Sequence, residues 1–373
     1  MWKAAIEDAV AKTRVNIDRF GALFPHVSKE GKYELTENTD WTNGFWSGLL
    51  WLCYEYTGDS GFRDAARRTV DSFRNRLEKG IALGHHDIGF LYSLSSKAQW
   101  MIERDESARA LTVAAADALM KRWRPQAQLI QAWGEEHDEQ NGGRIIIDCL
   151  LNLPLLYWAY EITGDQHYYD VAVQHAQRSR RYLVRGDDSS YHTFYFNPEN
   201  GVPVRGGTHQ GYDDGSTWTR GQAWGIYGFA LSYQYTKNPV FLETSLRMAQ
   251  YFLERLPEDH VVYWDFDAPI NADTKRDSSA SAITACGILE LLKHLPADHP
   301  SQSGLEEGVA RTMRGLIEGY STLSQPDAEG LIDHGSYSVR SGASPDDFMI
   351  WGDYFYLEAL MRLERGHKGY WYE

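Results

Sequence analysis

The sequence predicts an all-α fold, an (α/α)6 barrel of six inner and six outer helices with short β-hairpin insertions. Three observations lead there. Helices apolar on every face alternate with helices apolar on one stripe; six of each can be counted; and the turn "YTGD" at 56–59 returns as "ITGD" at 162–165. A helix apolar all round belongs inside a structure and a striped one outside. Glycine in both turns supplies a helix stop. An irregular helical bundle or a solenoid is the alternative; six helix pairs are enough to close a ring.

The elements follow in order. "MWKAAIEDAVAKTRVNIDRF" opens as a striped helix with no inner partner before it. "GFWSGLLWLCYEYTGD" is apolar throughout and precedes "FRDAARRTVDSFRNRL", where Phe62, Ala65, Ala66, Val70, Phe73 and Leu77 keep the helical period and the arginines face away. "IGFLYSLSSKAQWMI" precedes "ESARALTVAAADALMKRW", and "IIIDCLLNLPLLYWAYEITGD" precedes "YYDVAVQHAQRSRRYL". "WGIYGFALSYQYTKNP" precedes "FLETSLRMAQYFLERL", and "SAITACGILELLKHL" precedes "LEEGVARTMRGLIEGY". "IWGDYFYLEALMRLERG" ends the series without a successor, so it and the first helix complete the count. One insertion, 185–218, holds "YHTFYF" and "VPVRG" around "NPENG", a hairpin signal. "VVYWDFD" at 261–267 reads as a further short strand. No Pro/Gly/Ser linker or charge block divides the chain, so residues 1–373 read as one domain.

Composition removes several functions. A net charge of −15 without a basic stripe argues against nucleic acid. No run approaches the about 20 apolar residues that span a bilayer. The first twenty residues carry Glu7 and Asp8 where a signal peptide would be apolar, and Cys53, Cys149 and Cys286 sit in apolar runs, which fits a reducing compartment. The expected location is cytoplasmic, without a membrane partner. HExxH, Cys pairs, GxGxxG, Walker and GxSxG motifs are absent, so no metal and no cofactor is expected.

Each all-apolar helix is preceded by a polar, aromatic segment: 40–46, 84–90, "NGGRIIID", 213–224, 275–281 and 344–353. On a barrel these converge on one mouth, bringing Trp41, Trp46, Trp133, Trp218, Trp224 and Trp351 together with His85, His86, His192 and His209. Caps explain a Ser or Asp at a helix start; they do not explain that aromatic gathering. Asp148 stands out within "GGRIIIDCLLNLP", because a carboxylate is almost never buried without a partner or a task. It is either satisfied by Arg144, Asn152 or backbone, or it is an acid whose pKa desolvation raises. Asp87 is either a helix cap or a second working carboxylate.

The stretches "NTDWTNGFWSGLLWLCYEYTGD", "HHDIGFLYSL", "NGGRIIIDCLLNLPLL", "DDSSYHTFYF", "RGGTHQG", "GSTWTRGQAWGIYGFA", "RDSSASAITACG" and "SPDDFMIWGDYFYLEAL" closely resemble the unsaturated glucuronyl hydrolases of glycoside hydrolase family 88. The likeness runs over essentially the whole chain with the motifs in order. It implies the (α/α)6 barrel and removal of a non-reducing terminal 4,5-unsaturated uronic acid from lyase-made oligosaccharides, by hydration of the vinyl ether rather than attack at the anomeric carbon. It implies Asp148 as acid then base, and Asp87 as the second carboxylate. It also implies a substrate pocket of Trp41, His86, Trp133, His192, Gln210, Trp218, Arg220 and Trp224, with Arg220 meeting the uronate carboxylate. The resemblance also implies that Thr208 lines the same site and Ser336 touches the next sugar, and Arg144 is expected to add to a local positive group with Arg205 and Arg220. The expected partner is an unsaturated uronic-acid-terminated oligosaccharide, preferably a disaccharide, met by a monomer or weak oligomer. Rivals are another barrel glycosidase, such as an unsaturated rhamnogalacturonyl hydrolase or an inverting enzyme using the same two aspartates, and a non-catalytic carbohydrate-binding protein.

Overall fold

The twelve helices alternate in burial along the chain. The computed structural model describes residues 1–135, 138 and 140–373, and the helices below are those among them. The inner set is α2 (Asn43–Thr57), α4, α6, α8 (Thr219–Thr236), α10 (Ser278–Leu292) and α12 (Ile350–Arg365). Here α4 runs from Ile88–Tyr92 through a π-helical turn, Ser93–Lys97, into Ala98–Glu103, and α6 joins a 3₁₀ turn, Ile147–Leu151, to Leu153–Thr163. The outer set is α1 (Trp2–Phe20), α3 (Ser60–Glu78), α5 (Glu106–Met120), α7 (Gln166–Leu183), α9 (Pro239–Leu253) and α11 (Gln302–Gly315, extended by Leu316–Tyr320).

Contacts run α2 to α4, α4 to α6, α6 to α8, α8 to α10, α10 to α12 and α12 back to α2, which closes the inner ring. Helix α1 packs on both α12 and α2 and seals the outer layer where the chain's ends meet. This is the (α/α)6 barrel. One contiguous apolar core fills it, with Trp51, Trp158, Trp224, Trp351 and Trp371 all below 2% exposed.

The repeated turns show how sequence sets the alternation. Thr57 and Thr163 each donate back to a carbonyl four residues earlier, Gly58 and Gly164 adopt the left-handed conformation (φ 71° and 76°), and Asp59 and Asp165 cap the next helix. Each TGD therefore stops an inner helix and starts an outer one.

The insertion hairpin forms as β6 (Thr193–Phe196) and β7 (Pro203–Gly207), antiparallel. It gains a third strand that the helical reading of the Ile run overlooked: Arg144–Ile146 is β5, paired to β6. The helix read from Ile145 therefore begins only at Ile147. Three β-branched residues suit either element, and β6, from the distant insertion, supplies the pairing edge. Gly143 admits this strand, since a Cβ there would lie 1.8 Å from the Phe196 carbonyl oxygen. Residues 261–267 are not a strand; they make two isolated bridges, Trp218 to Asp265 and Tyr263 to Arg276. A further hairpin, β1 (Phe24–Lys29) with β2 (Lys32–Thr36), joins α1 to α2, and a two-residue pair, β3 (Trp123–Arg124) with β4 (Leu129–Ile130), follows α5.

Candidate active site

A cavity of about 460 Å³ opens at the N-terminal ends of α4 and α6. Its walls come from residues 39–41, 85–87, Trp133, Ile146, Asp148, His192, His209, Gln210 and the loop bearing Tyr337, Ser338 and Ser341.

Asp148 sits in the first turn of α6, a strand-to-3₁₀ junction. Its side chain keeps 13% exposure, which opens into the cavity, yet Oδ2 is buried with no hydrogen-bond partner among the described residues. Neither expected partner is free to satisfy it. Arg144 donates to Thr193 and Asn141, and Asn152 accepts the Phe90 N–H while its amide serves the Asp148 main-chain oxygen and the Asp87 carboxylate. Burial raises its pKa to about 7, and the charge of Asp87 adds to this. Arg220, its own N–H and the nearby Trp224 indole pull the other way without overcoming it.

Asp87 behaves oppositely. It stands at the N-cap of α4 but makes no capping bond, so it is not spent as a cap. Burial pushes its pKa up, but His86 and His85, at 3.4 Å each, with Asn152, hold it below the usual carboxylate value. One carboxyl group near neutrality beside one held ionised is an acid and an anion in one cavity. Gly89 brings the two helix starts together, because a Cβ there would lie 2.4 Å from Asn152 Cα.

His192 completes the pair. Its Nδ1 accepts the N–H of His209 at 3.0 Å, so the neutral ring carries its proton on Nε2, which faces Asp148 Oδ2 at 3.7 Å. Burial first, then Arg144 and its other cationic neighbours, drive its pKa well below 6.5. Burial likewise lowers His86 to about 4. Both imidazoles are therefore neutral at pH 7.

Of the residues nominated from sequence, Trp41, His85, His86, Asp87, Trp133, Asp148, His192, His209 and Gln210 line the cavity. The others stand behind it. The Arg144 guanidinium stacks 4.3 Å from the Trp133 ring; Trp218 lies 4.5 Å from the His192 ring; Trp224 is fully buried between Phe90 and Phe355. The Thr208 hydroxyl accepts the Gly211 N–H at 2.6 Å and shapes the turn before Gln210. Arg220 is placed differently from its expected role. It is 1% exposed and donates to Asp277 and to the carbonyls of Ser336 and Tyr337. Ser336 is buried, and its neighbours Tyr337, Ser338 and Ser341 form the wall instead. Trp46, grouped with the mouth from sequence, packs 4.9 Å from Phe20 of α1. Thr39 was missed, and Asp40 and Ile146, although within segments expected at the mouth, were not singled out. Thr39 and Asp40 adjoin Trp41 in sequence, so the signal for them was adjacency.

A larger cleft of about 860 Å³ runs on the far side of the 334–346 loop. Two of its acids are engaged, Asp259 with Arg276 and Asp346 with Lys275 and His334. It lacks the split pair of carboxylates.

Comparison with known proteins shows the family. The family model Glycosyl Hydrolase Family 88 matches residues 16–366. The chain is 63% identical to the unsaturated glucuronyl hydrolase of Bacillus sp. (strain GL1), over 100% of this chain and 99% of that relative. The crystal structure of the Bacillus sp. GL1 unsaturated glucuronyl hydrolase, responsible for glycosaminoglycan degradation, superposes with a TM-score of 0.99 at 62% identity, covering 100% and 99% of the two chains. A variant unsaturated glucuronyl hydrolase from Streptococcus agalactiae, complexed with dGlcA-GalNAc6S, superposes with a TM-score of 0.88 at 44% identity, covering 99% and 93%.

Proposed function

The chain belongs to Glycosyl Hydrolase Family 88 and is a glycoside hydrolase of the unsaturated glucuronyl kind, and we propose that Asp148 and Asp87 divide its chemistry between them. The substrate is an oligosaccharide whose non-reducing end is a 4,5-unsaturated uronic acid. Asp148 gives its proton to C4 of the C4=C5 bond, and positive charge develops over C5 and the ring oxygen. The Asp87 anion stabilises that charge. Asp148, now a carboxylate oriented by the Nε2–H of His192, takes a proton from water as the water oxygen bonds to C5. The hemiketal opens by breaking the bond between C5 and the ring oxygen, leaving a ketone at C5 and a hemiacetal at C1. Loss of the second sugar from C1 then yields a keto-acid aldehyde and a saturated product.

The observation that carries this reading is the split titration of two carboxyl groups on one cavity: Asp148 raised to about 7, Asp87 lowered. Trp41 and Trp133 offer faces for a planar unsaturated ring, and Gln210, Ser338 and Ser341 offer donors to its carboxylate. Arg144 contributes positive field from behind, which helps an acidic protein accept a small acid. A cavity of about 460 Å³ is in the lower half of the range for small-ligand sites, about 300–1,000 Å³, and supports a disaccharide preference. Free, buried Cys53, Cys149 and Cys286 support a cytoplasmic setting. Among the described residues no helix is long and apolar enough to cross a membrane. Except for Val202 and Val204, the large apolar side chains that are exposed, such as Val15 and Ile270, lie far apart in sequence, which supports a monomer or weak oligomer.

The ultraviolet absorbance of an unsaturated chondroitin disaccharide tests it. Wild type is expected to bleach the signal, and Asp148→Asn to lose roughly 10²–10⁴-fold in rate while still binding. Cleavage of saturated uronides with no bleaching would transfer the site to ordinary glycoside hydrolysis.

A further inference from the structure

Asp277 lies outside the cavity and touches no wall residue's side chain that faces it, yet it is fully buried and ionically paired. It caps α10, taking the Ser279 hydroxyl on Oδ1 at 2.5 Å, and its Oδ2 accepts Arg220 at 2.6 Å. A buried guanidinium and carboxylate cost several kcal/mol each to desolvate, so a pair of this kind is poor evidence for stability alone.

The remaining donors of Arg220 reveal a use. They reach forward from the first turn of α8 to the carbonyl oxygens of Ser336 and, at 2.8 Å, Tyr337. Gln210, from the opposite wall, donates to the same Tyr337 oxygen at 2.7 Å. The loop beyond folds on itself through Tyr337 N–H to Ser344 and Ser338 N–H to Ala343, and presents Tyr337, Ser338 and Ser341 to the cavity. The Arg220 plane is fixed between Trp218, at 4.4 Å, and Trp351, at 5.2 Å. Asp277 thus sets one end of a rigid fork whose other end holds a wall of the site.

We propose that Asp277 is a positioning residue for the reaction: acting through Arg220, it fixes the 336–341 wall against the substrate and neutralises the guanidinium behind Asp148. The second half concerns charge. The groups facing Asp148 are Asp87 from α4, His192 from the strand insertion, and Arg220 and Trp224 from α8. Those facing Arg220 are Asp277, Trp218, Trp351 and the two loop carbonyls. Arg220 favours the Asp148 anion. Without Asp277 its charge is uncompensated, and Asp148 gives up its proton more readily.

This inference rests on the hydratase reading of the site, so wild-type turnover of the unsaturated disaccharide is measured first; its absence would fault that reading and leave the wall to be tested by binding. Asp277→Asn is then expected to raise KM roughly tenfold, from the loosened charge-assisted bonds of Arg220. It is also expected to move the alkaline limb of kcat/KM to lower pH. Arg220→Lys keeps the charge but loses the fork, so KM should rise while the limb stays. Asp277→Glu restores the charge and should return the limb toward wild type. In an Asp148→Asn background, tryptophan fluorescence titration with the disaccharide should show the same weakening for Asp277→Asn. A cooperatively folding Asp277→Asn with unchanged KM and limb overturns the proposal. If Asp277→Asn does not fold, Arg220→Lys decides it: an unchanged KM there overturns the proposal and a rise supports it.

Discussion

Asp148 and Asp87 are the same side chain on the same cavity, and their surroundings alone make one an acid and the other an anion. A third aspartate shows what distinguishes a site from a perturbed group. Asp353 is also raised to about 7, chiefly by burial, but it accepts Leu331 N–H, Ile332 N–H and the Tyr33 hydroxyl, and does not line the cavity. Asp148 has an oxygen without a partner among the described residues, and an opening to a ligand. The pH dependence follows from the sign of its shift. Asp148 is a proton donor only below its raised pKa, so kcat/KM for the disaccharide should fall as pH rises through about 7. Below that the rate should hold until Asp87, whose pKa is lowered, takes up a proton at acid pH. A rate rising steadily through pH 7 to 9 would remove Asp148 as the acid. The anomaly of Asp148 was legible in sequence as a lone carboxylate in an apolar run. That of Asp353 was not noticed, because "IWGD" reads as an ordinary apolar helix start.

At the scale of elements, the inner and outer helices were readable because each carries its burial pattern within one turn of its own sequence. What sequence missed depended on partners. Residues 144–146 became a strand because β6 lies alongside. Ser336, expected from the resemblance to touch the next sugar, is buried while Tyr337, Ser338 and Ser341 form the wall, because nothing local says which way a loop faces. The hairpin of β1 and β2 did leave a signal: Glu30 and Gly31, both at positive φ, form its turn, and Tyr33 and Leu35 alternate with polar residues along β2. The contact that matters most to function, α4 on α6, rests on an absent side chain. Gly89→Ala would drive a Cβ to 2.4 Å from Asn152 Cα, a backbone atom that cannot swing aside. The two helix starts must separate, carrying Asp87 and Asp148 apart. The expected outcome is a loss of about 1–3 kcal/mol in urea denaturation, the usual cost of overpacking, with a fall in kcat at 25 °C that exceeds any loss of folded protein. Retained wild-type kcat in the variant would show that the carboxylate spacing does not depend on this contact.

Across the whole molecule, the ring of inner helices has two ends, and the sequence disclosed only one. The mouth announced itself through six polar, aromatic segments. The other end is closed by residues 367–373, a stretch too short and irregular for any periodicity to reveal, and the structure shows that it touches every inner helix. Tyr370 donates to Glu55 of α2, and Lys97 of α4 and Tyr235 of α8 both donate to the Trp371 carbonyl. Trp158 of α6 donates to Glu373, Tyr372 to Glu290 of α10, and the Trp371 indole to Glu358 of α12 at 3.0 Å. Trp371 stacks parallel to Phe355, at 6.0 Å and 4°, and is wholly buried. A segment bound to all six helices makes the barrel's two halves unfold together. Trp371→Ala is therefore expected to cost about 3–5 kcal/mol, as for large buried aromatics, read as a lower urea midpoint with an unchanged slope. Helical circular dichroism and disaccharide turnover should be lost at the same urea concentration. Two separated transitions, with turnover lost before helix content, would instead make the plug a local brace for some helices and leave the ring to hold itself.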